Sequence, residues 1–116
     1  MATVDRFVAA ATSEVGYVES PAGSNRTKFA AEAGHATGEP WCATFLVAIA
    51  KRTGLTLPSV SPYTPTMANG FRGASRWNAT PERGDFAFFD FPDSVRRIQH
   101  VGVVDAVNAD GSVYTI

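Results

Sequence analysis

The sequence contains a single cysteine, Cys42, in 116 residues. One cysteine cannot form a disulfide within the chain, so the fold must be stabilised by its core and not by covalent cross-links. The lone thiol is therefore available for chemistry. Free cysteine is also among the most frequently buried residue types, so Cys42 equally fits the role of a small apolar side chain in a core.

Excess charge and long apolar runs are also absent. Ten Lys and Arg offset eleven Asp and Glu, which gives a net charge of -1. Nucleic-acid binding depends on clustered basic residues that neutralise phosphates, so nucleic acid is not an expected partner. No stretch approaches the roughly 18 consecutive apolar residues of a membrane helix. Asp5 and Arg6 stand where a signal peptide would have a basic cluster and an apolar run. We expect no membrane partner and no signal peptide.

The composition that is present, 45% apolar and 11% aromatic, fits one domain over residues 1–116. Its first two thirds contain four segments with helical patterns. Apolar residues recur at helical spacing from Val4 to Val15, with Gly16 as the expected stop. Shorter patterns cover residues 27–33 and about 41–52, which end before Gly34 and Gly54 respectively. The fourth covers about 65–71, with Thr64 as the predicted N-cap.

Strand patterns dominate the last third. Phe86 to Phe89 in "PERGDFAFFDF" predicts one strand, and "IQHVGVVDAV" predicts a second because it is rich in β-branched residues. The turn signal "NADG" then joins this strand to "SVYTI" in a predicted hairpin. Helices followed by strands favour an α+β fold over a parallel α/β fold.

The predicted position of Cys42, in the first turn of the third helix, suits a nucleophile. Unpaired backbone N–H groups and the helix dipole stabilise negative charge there, and a cysteine nucleophile needs an imidazole as base. His35 lies in a Gly-rich loop, where an exposed loop residue is the simplest interpretation. His100 begins a predicted strand, which holds a side chain firmly, and Gly102 on the same face is expected to leave open space beside it. We therefore predict His100 as the base.

Four segments in this order resemble the CHAP family, the cysteine, histidine-dependent amidohydrolases/peptidases, and especially the catalytic domains of bacteriophage endolysins. The four segments are "EVGYVESPAGSNRTKF" at 14–29, "PWCATF" at 40–45, "PERGDFAFF" at 81–89 and "QHVGVV" at 99–104. Each is weak alone, but together they extend over nearly the whole chain.

The resemblance implies a papain-like α+β fold in which N-terminal helices pack on an antiparallel β-sheet. It implies Cys42 as the nucleophile, with its N–H as the oxyanion donor, and His100 as the general base. Asp85 corresponds to a recurring position whose carboxylate is expected to bond turn amides. Asn25 and Lys28 belong to the early segment, where ordering of the loop is favoured over contact with the rim of the site.

The implied function is hydrolysis of an amide bond in bacterial peptidoglycan, by an N-acetylmuramoyl-L-alanine amidase or a stem or cross-bridge endopeptidase. As a phage endolysin the enzyme would remain in the host cytoplasm until lysis and then reach the cell wall. One alternative is a non-catalytic cell-wall binding or interaction module on the same fold. Another is a different papain-like thiol enzyme, such as a γ-D-glutamyl endopeptidase or a wall-remodelling amidase.

The resemblance also implies a third group that orients the imidazole. In the family a strand like "SVYTI" continues into Glu, Asp or Asn, whereas this sequence ends at Ile116. Asp105 is predicted on the strand face opposite His100, and Asn108 and Asp110 belong to the predicted turn. The expectation is a domain that lacks its last strands, with a second chain or C-terminal segment supplying them and the orienting group.

No metal and no cofactor are expected. Some relatives bind calcium through an Asp-rich loop before the cysteine, but residues 17–41 contain only Glu19, Glu32 and Glu39 as acidic residues. Their spacing does not match a calcium loop.

Trp41 and Trp77 are candidates for stacking on sugar rings. Packing in the core is the favoured role for both, because large aromatic side chains dominate core energetics.

Overall fold

The computed structural model describes residues 3–90 and 98–116. In these ranges four α-helices precede three β-strands, which pair as an antiparallel sheet in the order β1-β2-β3. The predicted α+β fold is confirmed. The elements are α1 (Thr3–Thr12), α2 (Lys28–Ala33), α3 (Cys42–Thr53), α4 (Thr64–Gly73), β1 (Phe86–Phe89), β2 (His100–Val107) and β3 (Val113–Thr115).

Helix α3 is the centre of the core. It packs against α1, α2 and β2, and its side chains from Ala43 to Ala50 are buried apart from that of Phe45. A helix that is apolar on most of its surface must be covered on most of its surface, which explains this central position. The helix ends at Thr53 and is capped by Gly54, whose φ of 76° is the left-handed conformation that glycine adopts without strain. The predicted end is thus confirmed.

Helix α1 ends at Thr12, so the prediction that it extends to Val15 and stops at Gly16 is wrong. The Thr12 hydroxyl donates to the Val8 carbonyl at 2.8 Å, and the Ser13 hydroxyl donates to the Ala10 carbonyl at 2.6 Å. Hydroxyls that bond to nearby carbonyls compete with the helix ladder. The chain continues in tighter turns, and Val15 is 69% exposed although its spacing matches the buried face.

Helix α4 begins at Thr64, and the residue in the N-cap position is Tyr63. The predicted capping role of Thr64 is therefore wrong. The Thr64 hydroxyl donates instead to the carbonyl oxygen of Ile98 at 3.0 Å. A contact with a residue 34 positions later cannot be seen in local sequence, and it connects α4 to the start of β2.

The end of β3 packs closely on β2. The N–H and carbonyl of Ile116 both bond to Val103, at 2.9 and 3.0 Å. A Cβ at Gly102 would lie 3.1 Å from both the Ile116 carbonyl oxygen and Thr115 Cβ. The prediction of open space at Gly102 is wrong, because β3 fills it.

Candidate active site

Cys42 lies in the first turn of α3, as predicted; it is the first residue of the helix, and its side chain is half-buried. Trp41 is the N-cap residue, and its carbonyl accepts the first helical hydrogen bond, from Phe45 N–H at 2.9 Å. Trp41 makes no side-chain cap to the helix. The first backbone N–H groups of a helix have no partner within it, so this end presents donors close to the thiol.

His100 is the first residue of β2, where it pairs with Phe89 of β1. The two rings stack, with centroids 5.7 Å apart and planes 30° apart. Burial lowers the pKa of His100 because it penalises the charged imidazolium. The neutral imidazole is the form that can take a proton from a thiol.

Cys42 and His100 line the same cavity, which has a volume of about 460 Å³. Trp41 lies beside the cysteine, and Tyr17 and Asn25 form part of the wall from the loop before α2. The structure thus brings together the helix start and the strand start that carry the two predicted catalytic residues.

Further lining residues include Gln99 and Ile116, to which no sequence pattern assigns a role. Gln99 directly precedes His100 in the sequence, and this position is the clue from which its place at the cavity could have been predicted. Ile116 reaches the cavity through its pairing with Val103, which no local pattern shows.

The early loop is ordered by Lys28 and reaches the cavity through Asn25. Lys28 Nζ bonds a carboxylate oxygen of Glu14 at 2.8 Å and lies over the rings of Tyr17 and Phe29. Asn25 has a positive φ of 58°, donates its N–H to the Glu19 carboxylate and lines the cavity. Lys28 thus has the predicted role of ordering the loop, whereas Asn25 both orders the loop and lines the cavity.

His35 is half-buried and bonded on both ring nitrogens, so its prediction as an exposed loop residue is wrong. Nε2 lies 2.7 Å from the Val60 carbonyl oxygen, and Nδ1 lies 2.8 Å from the hydroxyl of the buried Thr44. A carbonyl only accepts, so Nε2 carries the hydrogen, and in the neutral ring Nδ1 accepts from Thr44. His35 therefore connects α3 to the segment before α4.

Asp85 has the structural contact expected of it. Its Oδ2 accepts a hydrogen bond of 2.8 Å from Glu82 N–H in the turn before β1. Asp105 lies 3.9 Å from Arg83 Nε, while Asn108 and Asp110 bond Ser112 in the hairpin turn. The residues described as lining the cavity do not include Asp105, Asn108 or Asp110.

The two tryptophans occupy different environments. Trp41 is half-buried against the core and stacks on Phe29, with ring centroids 5.8 Å apart, so its predicted core packing is confirmed. Trp77 is 43% exposed, with the Arg72 guanidinium 4.2 Å from its ring centroid. The prediction that Trp77 packs in the core is therefore wrong.

Among residues 3–90 and 98–116, no group of three or more His, Cys, Asp or Glu side chains has an arrangement that would hold a metal ion. None of the helices in the same ranges has the length and apolar character needed to cross a membrane.

Helices packed on an antiparallel sheet, with one cysteine and one histidine facing a shared cavity, fit the general class of thiol-dependent hydrolases. The family model described as CHAP domain matches residues 34–116. The chain belongs to the CHAP domain family, whose members are peptidoglycan amidase- and peptidase-type hydrolases. The match covers three of the four segments that carry the resemblance. Comparisons with curated proteins and with solved structures gave no match.

Proposed function

We propose that this chain hydrolyses an amide bond of bacterial peptidoglycan, with Cys42 as nucleophile and His100 as general base. The observation that carries the proposal is the shared cavity of about 460 Å³, which both side chains line. They come from rigid elements, the start of α3 and the start of β2, which hold catalytic groups better than loop tips do.

The reaction has two stages. His100 takes the thiol proton as the Cys42 sulfur attacks the amide carbonyl carbon, so that an S–C bond forms. The C–N bond then breaks, and the leaving amine takes the proton from the imidazolium. In the second stage His100 takes a proton from water as the water oxygen attacks the carbonyl carbon of the thioester. The C–S bond then breaks and the imidazolium returns the proton to the sulfur, which releases the carboxylic acid and restores the thiol.

The charge that develops on the carbonyl oxygen needs preorganised donors. The backbone N–H of Cys42 lies at the start of α3, where main-chain donors have no helical partner. It is the proposed oxyanion donor, and the helix dipole adds to its effect.

The proposed biological role is that of a phage endolysin, which stays in the host cytoplasm until lysis and then acts on the wall. The similarity of the four segments to endolysin catalytic domains supports this role. If the chain is produced inside a bacterium whose wall it cuts, culture turbidity should fall only after the inner membrane is permeabilised. Turbidity that stays constant after permeabilisation would contradict the proposed role.

The proposed reaction is tested by mass spectrometry of peptidoglycan fragments after incubation with the chain. New amine ends should form with the wild type and not with Cys42→Ala or His100→Gln. An amine on L-alanine released from muramic acid would identify an amidase, and an amine within the stem or cross-bridge an endopeptidase. Glu39→Gln, a change at an exposed residue before α3, is the control and should cut normally.

Unchanged fragments with folded wild-type protein would contradict the enzyme proposal. If the same protein also sedimented with purified cell walls, the non-catalytic binding module would be the better account. Circular dichroism of each variant is needed to show that loss of cleavage is not loss of folding.

A further inference from the structure

We propose that Glu19 is a positioning residue, whose carboxylate holds Trp41 and Asn25 in place on the wall of the cavity that contains Cys42. The inference rests on the proposed function, since it assigns a role in organising the same site.

The two oxygens of the Glu19 carboxylate bond two different parts of the cavity wall. Oε1 accepts a hydrogen bond of 2.9 Å from the indole Nε1–H of Trp41, and Oε2 accepts one of 2.8 Å from the backbone N–H of Asn25. Trp41 and Asn25 both line the cavity. One side chain therefore connects the loop before α2 to the residue that precedes the nucleophile.

The hydrogen bond to Trp41 adds a directional contact to a ring that otherwise makes only packing contacts with Phe29 and Tyr17. The indole is nearly parallel to the Phe29 ring, at 16°, and meets Tyr17 edge-on at 6.2 Å. Aromatic stacking tolerates a range of ring offsets, whereas a hydrogen bond has a narrow range of distance and angle, so the bond to Nε1 defines the position of one atom of the indole. Because Trp41 is the N-cap of α3, its orientation also affects the direction in which Cys42 enters the helix.

Through Asn25, the Glu19 carboxylate is also connected to the loop that precedes α3. Asn25 has a left-handed backbone, which asparagine tolerates better than most residues, and its carbonyl accepts from Gly38 N–H at 3.2 Å. Gly38 lies three residues before Trp41 in the chain. The segment from Gly38 to Trp41 is therefore bonded at both ends: Gly38 bonds Asn25, and Trp41 bonds Glu19.

The carboxylate is well suited to this role because it accepts on both oxygens when ionised. The hydrogen bond from Asn25, followed by that from Trp41, lowers the pKa of Glu19. The ionised acceptor therefore persists into more acidic solution than for an ordinary glutamate.

The contact and its catalytic effect can be measured separately. The Nε1–H resonance of Trp41, assigned with the Trp77→Phe variant, reports the indole bond in the absence of any substrate. In Glu19→Ala this resonance should move upfield, and kcat for peptidoglycan cleavage should fall roughly 100-fold, as small misplacements of reacting groups can cause.

Glu19→Gln separates the two hydrogen bonds. Its amide oxygen can still accept from Trp41, but its NH₂ group would face the Asn25 N–H, so two donors would meet. We expect the indole resonance to stay near its wild-type position and kcat to lie between the wild-type and Glu19→Ala values. Glu39→Gln, which changes an exposed carboxylate near the same helix, is the matched control and should resemble the wild type in both measurements.

Each contrary result has a distinct meaning. An unchanged Trp41 resonance in Glu19→Ala would overturn the positioning role, and so would a kcat that returns to the wild-type value once the assay temperature is well below the melting point of the variant. If the Trp41 resonance shifts in Glu19→Ala but the wild-type protein cuts no peptidoglycan, the result would contradict the proposed function and not the contact between Glu19 and Trp41.

Discussion

The Thr64 hydroxyl donates a hydrogen bond of 3.0 Å to the Ile98 carbonyl oxygen, two residues before His100. Thr64 is 7% exposed, so this bond is largely shielded from water. It links the first turn of α4 to the segment that leads into β2, and through that segment it supports the position of the imidazole.

Thr64→Val keeps the side-chain volume and removes the donor, which leaves the Ile98 carbonyl without this partner. We expect a loss of about 1–3 kcal/mol in the free energy of unfolding, because unsatisfied buried polar groups cost this much. Thr64→Ser retains a hydroxyl and should lose less. Urea denaturation of the three proteins measures the difference, and equal stability of the Val and wild-type proteins would contradict the structural role.

His35 should support stability without taking part in the reaction. His35→Ala removes the partner of the buried Thr44 hydroxyl and of the Val60 carbonyl, so we expect unfolding to become easier by about 1–3 kcal/mol. Cleavage per folded molecule should be unchanged, whereas His100→Ala should abolish it. Loss of cleavage in folded His35→Ala, with cleavage retained in His100→Ala, would reverse the assignment of the base.

The pH dependence of cleavage should reflect the burial of His100. Since burial lowers the pKa of this imidazole, the base stays neutral below its ordinary pKa of about 6.5. The acidic limb of the kcat/KM profile should therefore lie below pH 6.5. A limb centred above that value would contradict the assignment.

Stability should change in the same range of pH, with a sign that follows from linkage. The folded-state pKa of His100 is lower than its unfolded value, so the unfolded chain binds the proton first as pH falls. The contribution of His100 is fully present above about pH 6.5 and is lost as pH falls through the folded-state pKa. His100→Gln should remove this part of the pH dependence in denaturation measured from pH 8 to pH 5.

Gly102→Ala should disturb the pairing of β2 with β3. The new methyl group would lie 3.1 Å from the Ile116 carbonyl oxygen, a backbone atom that cannot easily move away. Overpacking of this kind costs about 1–3 kcal/mol. Gly73→Ala, at the end of α4, meets no atom of the described residues within 4 Å and is the matched control, expected to be neutral or slightly stabilising. Equal melting temperatures for the two variants would contradict the close approach.

Local patterns predict the parts of this fold that depend on local chemistry. Helix α3, predicted over about 41–52 and found at Cys42–Thr53, and the strand Phe86–Phe89 follow from periodicity, a terminating glycine and aromatic content, all of which lie within a few residues. The hairpin at 108–111 is equally local, because the Asn108 N–H and the Gly111 N–H bond within the turn itself.

The features that sequence patterns misjudge depend on distant partners. Thr64 is of a residue type that commonly caps helices, but its hydroxyl bonds Ile98. His35 has the sequence neighbours of an exposed loop residue, but its ring bonds Thr44 and Val60. The site follows the same rule. The residue types and the helix start point to Cys42, but the tie between Glu19 and Trp41 spans 22 positions and becomes visible only in three dimensions.

The central claim is that amide cleavage depends on the Cys42 thiol. Its most direct test is the initial rate of amine release from purified peptidoglycan at pH 7, compared between the wild type and Cys42→Ser, which keeps the shape of the side chain. We predict a fall of at least about 1,000-fold with an unchanged circular dichroism spectrum, since loss of the nucleophile in such enzymes leaves little activity. A folded Cys42→Ser protein that cleaves within about tenfold of the wild type would contradict the account.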